Sequence, residues 1–199
     1  MSVHGVTNSI IMSAPPDLPE VVSRALDLSR RRGFVSSSRL ETGRLLAALA
    51  ASRKGLLAEC GTGCGVGAAW LLSAAPEGTK VITAELDPEL ATAVTEMFAD
   101  QPSVDVVAGD WTSLYDSGPF SLLFLDVRDA KASGTDVVAE MLEPGGIVVL
   151  DDFTPSQSWP PVFDGRVDSM REQWLLDDRF TTVEVMVTPD ASVLIATRR

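Results

Sequence analysis

The stretch Leu56-Leu57-Ala58-Glu59-Cys60-Gly61-Thr62-Gly63-Cys64-Gly65-Val66-Gly67 decides the fold. A short apolar run ends in an acid, glycine then takes alternate positions, and a helical pattern begins. The order reads as strand, tight loop, helix. Glycine has no Cβ, so its backbone can take positive φ and a ligand can lie directly against it. Such a loop holds a nucleotide-like ligand at the carboxyl edge of a parallel sheet.

The flanking chain supports a sheet of that kind. Upstream, Leu18, Val21, Val22, Ala25 and Leu26 share one helical face. Pro19 suits a first turn, Arg30 to Arg32 oppose the dipole in the last turn, and Gly33 can cap. A second helix is expected from Ser38, with Ser38-Arg39-Leu40-Glu41 as a capping box and Leu45, Leu46 and Leu49 facing the core. Downstream, strands are expected at 56–59, 81–85, 104–107, 122–125 and 147–150, alternating with helices near 66–75, after Asp87-Pro88, and near 135–142. A proline-rich irregular stretch, 153–164, carries Trp159 and Phe163. It leads to a helix with Val167, Met170 and Trp174 in register. Two β-rich runs, 181–187 and 192–197, close the chain, and the short turn between them forces an antiparallel pair. The pattern is α/β, a mostly parallel sheet with one reversed strand at the C-terminus. Residues 1–16, with the sole histidine His4, read as an N-terminal arm, and 17–199 as one domain. Within it, 17–54 form a helical addition and 55–199 the core.

Length and composition agree with one domain, at 199 residues and 45% apolar. A net charge of −12 repels phosphate backbones and anionic membranes, so neither nucleic acid nor membrane is expected as partner. No apolar run approaches the ~18 residues of a span, and no leader pattern opens the chain, so a cytoplasmic protein is expected. Both cysteines, Cys60 and Cys64, fall in the glycine loop and read as small apolar filler.

Ligands of open parallel sheets sit outside the carboxyl ends of the strands. This chain puts acids there: Glu59, Glu85, Asp126 and Asp151, with Asp110 close behind the third strand. Together they suit a cationic ligand, a polyhydroxylated ligand or a metal. Glu85 lies 20 residues after Gly65, where a carboxylate can accept both hydroxyls of a ribose. Asp110 and Trp111 could bound an adenine. Asp87, followed by Pro88, reads as a helix cap. Two glycine frames compete. Gly63, Gly65 and Ala68 satisfy the dinucleotide spacing loosely. The frame acid-x-Gly-x-Gly-x-Gly, Glu59 to Gly65, fits without substitution. An acid at Glu59 repels a pyrophosphate and attracts the ammonium and sulfonium of S-adenosylmethionine.

These motifs resemble those of the class I S-adenosylmethionine-dependent methyltransferases. Glu59 to Gly65 looks like their first motif and Ile82-Thr83-Ala84-Glu85-Leu86-Asp87-Pro88 like the second; Gly109-Asp110 and Leu142-Glu143-Pro144-Gly145-Gly146 also match. The resemblance covers roughly residue 38 to the C-terminus. It implies a Rossmann-like methyltransferase domain with a seven-stranded mostly parallel sheet, an antiparallel C-terminal strand and helices on both faces. The cofactor would be S-adenosylmethionine, held by Ser38, Glu59, Gly61, Gly63, Gly65, Val66, Gly67, Glu85, Leu86, Asp110, Trp111 and Asp126. More narrowly, the chain is similar to the small metal-dependent O-methyltransferases of the catechol and caffeoyl-CoA type. That similarity implies a Mg²⁺ site from Asp126, Asp151 and Asp152, where the subfamily has Asp-Asn at the last two positions. The subfamily's base, a lysine three residues after the strand-four Asp, is replaced here by Asp129, and Lys131 follows two residues later. Asp126, Asp129 and Lys131 are the candidate catalytic residues.

The expected reaction is methyl transfer to a small-molecule acceptor, an oxygen nucleophile, with or without Mg²⁺. Two other readings stay open, an NAD(P)-dependent oxidoreductase and a non-catalytic S-adenosylmethionine-binding protein. The amphipathic first helix has two uses open to it, a homodimer interface as in the subfamily or a cover for the sheet.

Overall fold

The structure is a computed structural model and describes residues 17–199. The expected N-terminal arm, with His4, lies outside the described residues. Two helices lead, α1 (Glu20–Arg32) and α2 (Leu40–Ala50). The core then runs β1 (Leu56–Cys60), α3 (Val66–Ala74), β2 (Lys80–Glu85), α4 (Pro88–Met97), β3 (Val104–Ala108), a 3-10 turn (Trp111–Ser117), β4 (Phe120–Leu125), α5 (Arg128–Ala132), α6 (Thr135–Met141) and β5 (Leu142–Phe153). A small hairpin, β6 (Val162–Phe163) and β7 (Arg166–Val167), precedes α7 (Ser169–Leu176), β8 (Phe180–Thr188) and β9 (Ala191–Arg198).

Seven strands form one sheet in the order β3-β2-β1-β4-β5-β9-β8. Strands β1 to β5 pair in parallel, and β9 runs antiparallel between β5 and β8. This is the α/β architecture that the alternation of strands and helices implied. Side chains alternate between two buried faces, as a sheet covered on both sides requires. Leu57, Leu122, Phe124 and Val149 pack with Val22, Leu46, Trp70 and Val94 from the first four helices. Ala58, Leu123, Leu125 and Val148 pack with Leu114, Val138, Met141 and Trp174 on the opposite face. The apolar face of α1 (Val22, Ala25, Leu28) is buried in the first of these cores, against α3 and α4. Among the described residues, no helix is long and apolar enough to cross a membrane.

Three local expectations are corrected. The fifth strand begins at Leu142 rather than Ile147: α6 already ends at Met141, and Pro144-Gly145-Gly146 bulges within the strand instead of preceding it. A short helix, α5, follows β4 where the sequence shows too few residues for a periodic signal. Pro19 is the N-cap of α1 rather than part of its first turn. Asp87 caps α4 as expected, accepting from the backbone N–H groups of Glu89 (2.9 Å) and Leu90 (3.3 Å).

The segment after β5 is fixed by a buried arginine. Arg171, on α7, is fully buried. Its Nε donates to Asp168 (3.1 Å), its Nη1 to Glu184 (3.1 Å) and its Nη2 to the carbonyl of Thr154 (2.8 Å). One side chain thus ties the start of the proline-rich stretch to α7 and β8. Removing one partner of a buried ion pair leaves the others uncompensated. Arg171→Met should therefore lower unfolding free energy by about 3–5 kcal/mol. A reduced urea midpoint at unchanged slope would show this; an unchanged midpoint would contradict it.

Candidate active site

The sheet reverses its winding at β1 and β4, and the crevice there is the expected ligand position. The glycine loop after β1 floors it. The backbone N–H groups of Gly61 and Thr62 both donate to the carbonyl of Ala84 at 3.1 Å, fastening the loop to the end of β2. Gly65, at φ 81°, is the left-handed N-cap of α3. A Cβ there would also meet Met97, Phe98 and Val94 at 3.0–3.1 Å, so this glycine packs the loop against α4.

Glu59 is placed differently from the expectation. It is 1% exposed and lies beneath the first turn of α3. A Cβ on Gly67 would sit 2.0 Å from its Oε1, so only glycine lets the helix approach. Thr83 donates to Glu59 Oε2 at 2.7 Å, and the hydroxyls of Thr83 and Thr62 lie 2.6 Å apart. Burial pushes its carboxyl well above the ordinary range, against the hydrogen bonds from Thr83 and the backbone of Ala68. Glu59 is thus the internal brace of the loop, and it lines none of the crevice cavities described below.

Three cavities line up along the strand ends. The first, about 190 Å³, is bounded by Leu86, Asp110, Trp111 and Asp129. The second, about 270 Å³, lies between the loop (Gly61, Gly63, Val66, Gly67) and Ser36 to Ser38, with Phe34 beside them. Glu85 and Val127 belong to both. Glu85 Oε2 accepts from the N–H of Gly63 at 2.8 Å and Oε1 from that of Asp87 at 3.0 Å. The third, about 690 Å³, opens beyond Asp152 and is walled by Lys131, Asp151, Phe153, Phe163 and Met170 among others. Asp152 lines the second and third alike. Its φ of 62° is unusual for a residue with a Cβ, and backbone strain of this kind clusters at functional sites.

Most expected cofactor residues therefore meet in one crevice: Ser38, Gly61, Gly63, Val66, Gly67, Glu85 and Asp126 in the second cavity, and Leu86, Asp110 and Trp111 in the first. Glu59 and Gly65 support it from outside. Ser38 does not form the expected capping box. Its hydroxyl donates to Asp126 Oδ2 at 3.4 Å, and Arg39 is the N-cap of α2, without a side-chain cap. Asp110 accepts from the N–H and hydroxyl of Thr112 (3.0 and 2.7 Å), and these bonds, the hydroxyl's foremost, hold its carboxyl below the usual range. Sequence reasoning missed Phe34, Ser36, Ser37 and Val127. The serine run between two helices was the available signal.

The candidate catalytic residues divide. Asp129 is exposed and borders the first cavity, away from Lys131 and the third, because α5 turns between them. Asp126, Asp151, Asp152 and Lys131 gather at the junction of the second and third cavities. Burial, then the Asp151 and Asp152 carboxylates, push the Asp126 carboxyl up to about 7, against the opposing effects of Lys131 and Ser38. Asp151 is likewise raised, chiefly by burial, and its Oδ1 accepts from Thr42 at 3.2 Å. Among the described residues, no three His, Cys, Asp or Glu side chains are grouped so that they could hold a metal ion. The three aspartates share a field without forming a ligand set, and the charge of Lys131 acts on Asp126 and Asp151. As arranged, the donors do not fit the expected Mg²⁺. Cys60 and Cys64 are free and buried; burial raises both thiols, that of Cys60 to about 12.

A family model described as a methyltransferase domain matches residues 58–153. No curated protein matches the chain. Among solved structures, it is similar to a methyltransferase from Geobacter sulfurreducens, at 21% identity over 92% of this chain and 90% of that one, with a TM-score of 0.71. It is similar to an O-methyltransferase from Bacillus cereus in complex with SAH, at 16% identity over 92% and 93%, with a TM-score of 0.74. It is also similar to the O-methyltransferase TomG from Streptomyces achromogenes, involved in tomaymycin synthesis and solved with SAM, at 20% identity over 92% and 91%, with a TM-score of 0.70. The family match spans β1 to β5, the strands that carry the crevice, and the similar solved structures share the fold of the whole described chain.

The raised Asp126 carboxyl has a consequence for stability. Its folded value of about 7 stands above its unfolded value, so its contribution is complete below the unfolded value and is lost as pH rises through 7. Stability of the unliganded protein should decline from about pH 4 to about pH 7. Asp126→Asn should remove its share of that slope. Urea midpoints across the range test this, and a variant with the wild-type slope would contradict it.

Proposed function

We propose that the protein transfers the methyl group of S-adenosylmethionine to a hydroxyl oxygen of a small-molecule acceptor. The observation that carries this reading is the set of three cavities that share lining residues, Glu85 between the first two and Asp152 between the last two. The first suits an adenine, with the Trp111 ring against it and Asp110 as acceptor for its amino group. Glu85 is positioned for the ribose hydroxyls. The second takes the methionine portion over the glycine loop and brings the sulfonium to Asp126, where opposite charge favours it. The third takes the acceptor among Phe153, Phe163 and Met170. Likeness to proteins solved with SAM or SAH supports the cofactor.

Transfer is then an in-line displacement. The acceptor oxygen forms the new bond to the methyl carbon while the carbon–sulfur bond breaks, and its electron pair stays on sulfur. Holding the three atoms in line accounts for most of the acceleration. The acceptor's proton leaves to the Asp126 and Asp152 carboxylates. A base that titrates near neutrality suits that task, and the adjacent sulfonium favours its ionised form. Because the carboxylates do not form a metal-ligand set, no step of this mechanism passes through Mg²⁺.

Titration calorimetry with S-adenosylhomocysteine and NAD⁺ tests the cofactor assignment. Binding of S-adenosylhomocysteine alone is expected. Glu85→Ala should weaken it about 10- to 100-fold, the worth of one or two charge-assisted hydrogen bonds. Tighter binding of NAD⁺, or undiminished affinity in a folded Glu85→Ala protein, would contradict the reading.

A further inference from the structure

Lys131 sits in the last turn of α5 and is 8% exposed, yet it lines the acceptor cavity. Among the described residues its Nζ makes one hydrogen bond, to the carbonyl oxygen of Asp151 at 2.9 Å. Among the described residues no carboxylate lies within ion-pair distance of it, although its charge acts on both Asp126 and Asp151. An ammonium has three donors, so two have no acceptor among the described residues. Burying a cation with so few bonds is costly unless other groups compensate. The neighbouring carboxylates supply part of that compensation through their field. Lys131 borders the space where the proposed acceptor lies.

Resting on the proposed methyl transfer, we infer that Lys131, rather than Arg128, Arg166 or the ion-paired Arg171 that line the same cavity, is the cation that engages the acceptor. Its ammonium holds the acceptor oxygen beside the methyl group, in the role a divalent ion would otherwise fill. Two features already described carry this. The aspartates do not form a metal-ligand set, and a fixed positive charge already stands beside two of them. A hydroxyl held by an ammonium loses its proton more easily. That proton goes to the Asp126 and Asp152 carboxylates, and the oxygen keeps the electron pair that forms the bond to carbon. A point charge of this kind needs a single acceptor oxygen, whereas a chelated ion favours an adjacent pair. The acceptor class therefore includes compounds with one isolated phenolic hydroxyl.

Two measurements on the full chain saturated with S-adenosylhomocysteine test this. Electron paramagnetic resonance during Mn²⁺ addition should show no stoichiometric bound ion. One Mn²⁺ per chain, released in Asp152→Asn, would overturn the inference. Second, 4-nitrophenol serves as a probe whose ionised form absorbs visible light. Its ionisation midpoint in the wild-type complex should fall by about one to three pH units, and the shift should vanish in Lys131→Met and largely persist in Lys131→Arg. The same midpoint in wild type and Lys131→Met would overturn the inference. Unchanged S-adenosylhomocysteine affinity in each variant shows that it has folded. Loss of that affinity in the wild type would instead defeat the underlying methyltransferase reading.

Discussion

The site depends on one buried contact, the Glu59 carboxyl lying against the backbone of Gly67. The end of β1 and the first turn of α3 can be this close only because position 67 lacks a Cβ. Thr83 and Thr62 complete a chain of hydroxyls from the carboxyl into the neighbouring strand and back to the loop. From this brace the loop's exposed edge follows. Its N–H groups meet the end of β2, and Gly63 meets Glu85, so the floor of the crevice and the Glu85 carboxylate are tied together. An acid buried beneath the loop thus sets the geometry of the groups at the crevice edge.

A second constraint is electrostatic. Three aspartates and one lysine share the junction of two cavities, and burial raises the cost of ionising Asp126 and Asp151. Burial therefore favours the neutral form of these two carboxyls, and a nearby cation favours the ionised one. Binding of a cationic cofactor thus couples occupancy of the cofactor site to the protonation of its candidate base. The buried arginine on α7 belongs to the same logic at longer range. By tying Thr154, Asp168 and Glu184 together it gives the large cavity beyond Asp152 a fixed wall across the segment that carries the β6–β7 hairpin.

Much of this was legible in the sequence because the signals were local. The glycine loop, the acids at strand ends, the Asp87-Pro88 cap and the terminal hairpin each follow from a few adjacent residues. The misreadings share a different cause. Glu59 looked like a ligand group because its position along the chain is right; its inward direction comes from alternation along β1 and from the tight approach at Gly67. Ser38 matched a capping box, yet its hydroxyl finds Asp126, 88 residues away, where local pattern cannot see. Lys131 and Asp129 are two residues apart and face different cavities, because the short helix α5 turns between them. The three aspartates fit a metal-ligand spacing in sequence, but grouping in space depends on the bulge of β5 near Asp152 and on Thr42 from another helix.

The most direct measurement is a crystal structure of the complex with S-adenosylhomocysteine. The account predicts adenine beside Trp111 and Asp110, both ribose hydroxyls on Glu85, and the sulfur facing Asp126 with the large cavity open beyond Asp152. Glu59 should remain beneath α3, out of contact with the ligand. A ligand bound outside this crevice, or one reached by the Glu59 carboxylate after rearrangement of the loop, would contradict it.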